Sequence, residues 1–86
     1  MSESYRLEVK DGEVHLILDG FFGTDFGSLH KTLTGKLVTN HLFGENYELE
    51  DISGFFSKGQ KYRFKKSNGE QGVLIKRGNR YDFVSD

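Results

Sequence analysis

Three turn dipeptides, Asp11-Gly12, Asn68-Gly69 and Gly78-Asn79, each lie between stretches rich in alternating apolar and polar residues. Such dipeptides accept the positive φ values of two-residue hairpin turns, so they commit much of the chain to antiparallel pairing. In YRLEVKDGEVHLIL a two-residue loop sets Lys10 opposite Glu13, Val9 opposite Val14, Glu8 opposite His15 and Leu7 opposite Leu16. Arg6 then faces Ile17 and Tyr5 faces Leu18. Tyr5, Leu7, Val9, Val14, Leu16 and Leu18 share one face, and the opposite face is largely polar.

The segment KYRFKKSNGEQGVLIKRGNRYDFV reads as a three-strand meander. A two-residue loop at Asn68-Gly69 pairs Phe64 with Val73, Arg63 with Leu74, Tyr62 with Ile75 and Lys61 with Lys76. Tyr62, Phe64, Val73 and Ile75 then face the core, and Lys61, Arg63, Lys65, Leu74 and Lys76 face outward. Two cations directly opposite each other are unfavourable unless an anion neutralises them. The second turn has two readings. A two-residue loop at Gly78-Asn79 sets Arg77 against Arg80 and puts Tyr81 and Phe83 among the cations, as on a platform for single-stranded nucleic acid. A three-residue loop, Gly78 to Arg80, shifts the register by one and sends both rings to the core face. Hydrophobic patterning favours the second.

Between these hairpins the pattern is weaker. Glycines at 20, 23 and 27 alternate with Phe21, Phe22 and Phe26, which points to a turn or bulge whose rings either plug one end of the core or form an exposed patch. In SLHKTLTGKLVTNHLF, Leu29, Leu33 and Leu37 recur at helical spacing while the threonines and Val38 favour a strand; the reading is a short helix or turn before Gly35 and a strand after it. ENYELEDISGFF spaces Leu49, Ile52 and Phe55 by three, with Asn46 as an N-cap and acids in the first turns, and predicts a short helix. GFF occurs at Gly20 and Gly54 with unrelated flanks and marks no repeat.

At 86 residues the chain has room for one small domain, spanning 1–86, that buries only about 60 to 65% of the surface its unfolded form exposes. Eight Phe and four Tyr, with no Trp, make aromatic rings the main core material. No cysteine is present, so disulfides and thiolate chemistry are excluded and a reducing, cytoplasmic setting is expected. The first residues lack the pattern of a signal peptide and no apolar run is long enough to span a bilayer, so a soluble protein without membrane partners is expected.

Net charge is only −1, but its distribution is uneven. Residues 1–57 carry four basic and ten acidic side chains; residues 58–86 carry eight basic and three acidic. The basic set is Lys58, Lys61, Arg63, Lys65, Lys66, Lys76, Arg77 and Arg80. His15, His30 and His41 lack metal-ligand spacing, and the glycines match no phosphate-binding loop. Glu45, Glu48, Glu50 and Asp51 form a run of acids that suits a solvated surface better than a convergent acid/base pair. No cofactor is implied.

The expected fold is a mainly β domain, a small antiparallel barrel or strongly bent sheet with one or two short helices; an α+β sheet covered by a helix is the rival. The expected function is a non-enzymatic binding module, monomeric or dimeric, that contacts nucleic acid or nucleoprotein through the eight meander cations. The competing expectation is a small protein-binding regulator or inhibitor, acting through Glu45, Glu48, Glu50 and Asp51 or through Phe21, Phe22 and Phe26.

Overall fold

The structure is a computed structural model that describes residues 3–20, 23–39 and 46–86. Eight strands follow one another around a closed antiparallel barrel: β1 (Ser4–Lys10), β2 (Glu13–Asp19), β3 (Thr24–Lys31), β4 (Leu37–Thr39), β5 (Glu48–Asp51), β6 (Lys61–Lys65), β7 (Gln71–Arg77) and β8 (Arg80–Ser85). The seam between β1 and β8 is short. It pairs Ser4 with Asp82 and Tyr5 with Tyr81, and the Phe83 N–H donates to the Glu3 carbonyl at 2.9 Å. Closure removes the long unpaired edges that an open sheet of this size would expose.

An eight-stranded barrel has an interior that side chains can fill. Here Tyr5, Leu16, Leu49, Phe64, Leu74, Tyr81 and Phe83 form the buried cluster, with Leu7, Leu18, Phe26, Leu29, Leu37, Tyr47 and Tyr62 packed against it. Rings meet rings throughout. Phe64 lies 5.0 Å from Tyr5, 5.9 Å from Tyr47 and 5.7 Å from Phe83, centroid to centroid.

The first hairpin has the register its turn dictates, from Lys10–Glu13 to Tyr5–Leu18, around Asp11 and Gly12 at φ 52° and 81°. Val9 and Val14 nevertheless stay outside the core, and Val9 is 72% exposed. The reason is the short seam: β8 pairs with β1 only at Ser4 and Tyr5, so the upper half of the hairpin projects beyond it.

Both turns of the meander differ from expectation by one residue. The first is a three-residue loop, Ser67 to Gly69. The Gly69 N–H donates to the Lys66 carbonyl at 3.0 Å, the Lys66 N–H to the Glu70 carbonyl at 2.8 Å, and Gly69 has φ 93°. This is a type I turn closed by a left-handed glycine, a second way for Asn-Gly to reverse a chain. Phe64 therefore faces Gly72, Tyr62 faces Leu74 and Lys61 faces Ile75. Leu74 moves into the core, and Val73 and Ile75 move to the outer wall, half-buried. The second turn is the two-residue form, with Arg77 opposite Arg80. The two departures cancel for β8, so Tyr81 and Phe83 lie inside, each 8% exposed.

Among the described residues there is no helix. The helix expected from Asn46 is replaced by β5, which turns Leu49 into the core and pairs residue for residue with β6. Ile52 and Phe55 belong to the following loop, so their three-residue spacing has no helical meaning. The segment before Gly35 is strand through Lys31 and then a turn.

The expected bulge is present between β2 and β3, where the register shifts between His15 and Ile17 and Gly27 adopts φ 101°. Asp25 sits at this bulge. It accepts from the Gly27 N–H at 2.8 Å, from Lys10 Nζ at 3.1 Å and contacts His15 Nδ1 at 3.0 Å. Slight burial opposes its ionisation, but these partners prevail and hold the carboxyl at about 2, below its ordinary 3.8. A depressed folded-state value adds stability above the unfolded value and loses it as pH falls through the folded one. Asp25→Asn is therefore expected to be less stable than the parent at neutral pH, with the gap closing between about pH 4 and about pH 2. Urea midpoints across that range provide the check; a constant gap contradicts the assignment.

Candidate polyanion interface

Because neighbouring strands alternate in direction, one end of the barrel carries the turns at 11–12, 32–36, 52–60 and 78–79, and the other carries residues 3, 19, 24, 39 and 48, the 66–70 turn and residue 86. The first is called the upper end. Residues 10–13, 31–37, 51–61 and 76–80 carry eight cations (Lys10, Lys31, Lys36, Lys58, Lys61, Lys76, Arg77 and Arg80) against three acids (Asp11, Glu13 and Asp51). Of the cations, Lys10 pairs with Asp25, Arg77 with Asp82, and Lys36 shares a recess with Glu48 and Glu50, which leaves Lys31, Lys58, Lys61, Lys76 and Arg80. Described residues at the lower end carry Glu3, Asp19, Glu48, Glu70 and Asp86 against Lys65 and Lys66, a net −3. The barrel is polarised along its axis.

This differs from the basic face expected of the meander. Lys58, Lys61, Lys76, Arg77 and Arg80 do reach the upper end. Lys76 does so from the inner phase of β7, opposite Tyr81, and not beside Arg63. Arg63 and Lys66 are paired with acids elsewhere, and Lys65 lies on the outer wall. Arg63 faces Glu50 and lies 3.6 Å from Asp86, while Lys65 faces Glu48. Lys66 is buried, held by Glu3 and Glu70 with its ammonium 4.4 Å from the Phe83 ring centroid. Burial lowers its proton affinity, but the two carboxylates more than offset this and raise its pKa. It closes the lower end of the core and helps to line a recess there.

The described part of the acidic run lies along β5, with Glu50 and Asp51 exposed. Glu48 and Glu50 lie beside β6 cations, where opposite charges across strands stabilise the sheet modestly. Asp51 organises the next loop. Phe26 is half-buried against the core and 4.4 Å from the Tyr47 ring; Phe21, Phe22 and Glu45 lie outside the described residues, as does His41.

Residues 52–60 form a stiff loop. The Asp51 carboxylate accepts from the Ser53 and Gly59 N–H groups, each at 2.9 Å. Slight burial opposes ionisation, yet the bonds from Ser53 and Gly59, with nearby Lys58, lower the pKa. Ser53 Oγ accepts from the Gln60 and Lys61 N–H groups at 3.0 and 2.6 Å and donates to the Lys61 carbonyl at 2.9 Å. Two turns complete it, Ser57 N–H to Gly54 carbonyl and Gln60 N–H to Ser57 carbonyl. The loop is also tied to β7 and β8. The Lys76 N–H donates to the Gln60 carbonyl at 2.8 Å, and the Tyr81 hydroxyl donates to the Gly59 carbonyl at 2.7 Å. Burial raises the Tyr81 pKa, so the hydroxyl keeps its donating proton at neutral pH.

This loop displays Phe55 and Phe56, 79% and 96% exposed, edge to face at 5.1 Å. Lys58 Nζ stands 5.7 Å from the Phe55 ring centroid. Within the described residues no carboxylate pairs with Lys58, Lys61, Lys76 or Arg80, and Arg77 Nε is 3.3 Å from Asp82. Sequence reasoning missed the two rings because it assigned them to a helix. It missed Lys31 because charge was summed along the chain and not by strand end.

A recess of about 490 Å³ at the lower end is lined in part by His30, Thr39, Glu48, Lys65 and Lys66. Its lining is mixed in charge. Among the described residues no cluster of His, Cys, Asp and Glu could hold a metal ion, and no helix is long and apolar enough to cross a membrane. The outer wall bears Glu48, Glu50, Arg63 and Lys65 around an apolar interior, the inverse of a lipid-facing barrel.

No protein-family model, curated protein or solved structure matches the chain. Fold and site together describe a small closed β-barrel with a cationic end.

Proposed function

We propose that this protein is a non-enzymatic binding module that takes a polyanion, nucleic acid or nucleoprotein, on the upper end of its barrel. The observation that carries this reading is the gathering of Lys58, Lys61, Lys76, Arg77 and Arg80 at one end, while of the other meander cations Lys66 is held by Glu3 and Glu70 and Arg63 by Asp86. Arg77 and Arg80 stand directly opposite each other. Like charges so placed repel, and an anion bridging them relieves the repulsion. Guanidinium groups suit phosphate because their planar donors can engage two oxygens at once.

Binding that engages four or five phosphates is expected to give a slope of log affinity on log salt of about −3 to −4, or roughly a hundredfold loss between about 50 and about 200 mM salt. Fluorescence anisotropy with a labelled oligonucleotide measures it. Lys61→Glu with Arg80→Glu is expected to abolish binding, while Lys65→Gln leaves it within about threefold. Absence of binding at low salt, or equal sensitivity at position 65, overturns the reading.

A further inference from the structure

We infer that the upper end binds single-stranded nucleic acid, with Phe55 and Phe56 as the base-stacking pair. This rests on the polyanion reading and adds to it the chemical form of the ligand. Exposed phenylalanines cost solubility, and two held side by side on a stiff loop present ready-made apolar faces. The loop is tied by Asp51 and Ser53 within and by Tyr81 and the Lys76 N–H from β8 and β7. The loop backbone is thus anchored to β7 and β8, and the rings it displays stand in solvent with Lys58 beside Phe55.

The geometry favours single strands over duplexes. A duplex hides the faces of its bases inside the stack, whereas a single strand can splay them onto aromatic side chains. The two rings stand at 87° to each other, so they offer faces to two unstacked bases in different orientations. Lys58 beside Phe55, with Lys61, Lys76 and Arg80 nearby in the fold, supplies charge for the phosphates that flank such bases. Rings interleaved with lysine and arginine are the pattern of sequence-tolerant single-strand binding. An anionic lipid surface is the main competing occupant, since fully exposed Leu33 shares this end. Two perpendicular rings match splayed bases better than parallel acyl chains.

Three ligands separate the contributions: an oligothymidylate of about 12 nucleotides, an abasic strand of the same length, and the matching duplex. The oligothymidylate is expected to bind at least about tenfold more tightly than either of the others. Phe55→Ala/Phe56→Ala is expected to lose about 30-fold or more for oligothymidylate, because two stacked bases are lost. The same variant should leave abasic-strand affinity, salt slope and melting temperature unchanged. Equal binding of all three ligands, or no effect of the double variant on oligothymidylate, overturns the stacking assignment while the polyanion reading stands. Failure of every oligonucleotide at low salt removes both. Ring-dependent sedimentation with phosphatidylserine vesicles, without oligonucleotide binding, reassigns the surface to lipid and overturns the inference.

Discussion

Gly72→Ala is expected to destabilise the barrel by about 3 kcal/mol, a fall of roughly 10 to 20 °C in melting temperature for a domain of this size. Gly72 lies on the inner face of β7, buried, paired with Phe64 on one side and Ser85 on the other. A Cβ there would stand 2.6 and 2.9 Å from Cε1 and Cζ of Phe83 and would press still closer on the Val84 carbonyl oxygen. The ring could swing away at some loss of packing, but the carbonyl belongs to the β8 backbone and moves only with the sheet. The added methyl group thus overpacks the core at a point where backbone must move to admit it. Phe83→Leu in the Gly72→Ala background is expected to restore part of the loss, since it removes the ring contact and leaves the backbone one. A Gly72→Ala protein within about 0.5 kcal/mol of the parent in urea denaturation would contradict this close approach.

Phe64→Ala is expected to cost about 3 to 5 kcal/mol, roughly half of a total stability of about 5 to 10 kcal/mol. The side chain is fully buried and is the ring around which Tyr5, Tyr47 and Phe83 are arranged. Each edge-to-face or stacked neighbour contributes about 0.5 to 1.5 kcal/mol beyond the area buried. The cavity also opens next to Gly72, which has no side chain to fill it. Phe56→Ala supplies the contrast: the same deletion at a ring 96% exposed is expected to change stability by less than about 0.5 kcal/mol. Chemical denaturation of the two variants side by side measures the difference between a ring that holds the fold and a ring displayed by it.

The first hairpin was legible because its turn, charge pair and apolar alternation agree on one register, and nothing distant competes with them. A mainly β architecture with an aromatic core followed from the same kind of local agreement. The meander was harder, because Asn68-Gly69 serves both a two-residue turn and a type I turn with a left-handed glycine. One residue decides which side chains face inward, and only the packed barrel, with Leu74 inside and Gly72 under Phe83, distinguishes the two. At Glu48–Asp51 the strand is so short that an apolar spacing of three imitated a helix.

The candidate site divides in the same way. That this chain holds an excess of lysine and arginine in its last third is a property of the sequence, as is its supply of rings. Which cations are available to a ligand is a tertiary property, because charge acts through space. Barrel pairing sets Glu48 and Glu50 opposite Lys65 and Arg63, buries Lys66 between Glu3 and Glu70, ties Lys10 to Asp25, and carries Lys31 from the acidic part of the chain to the cationic end. By itself the sequence determined the hairpins, the antiparallel β class and the materials of the core. The tertiary structure alone decided that the charge is polarised along the barrel axis, and that Phe55 and Phe56 stand outside it, because strand direction and neighbour identity exist only once the sheet has closed.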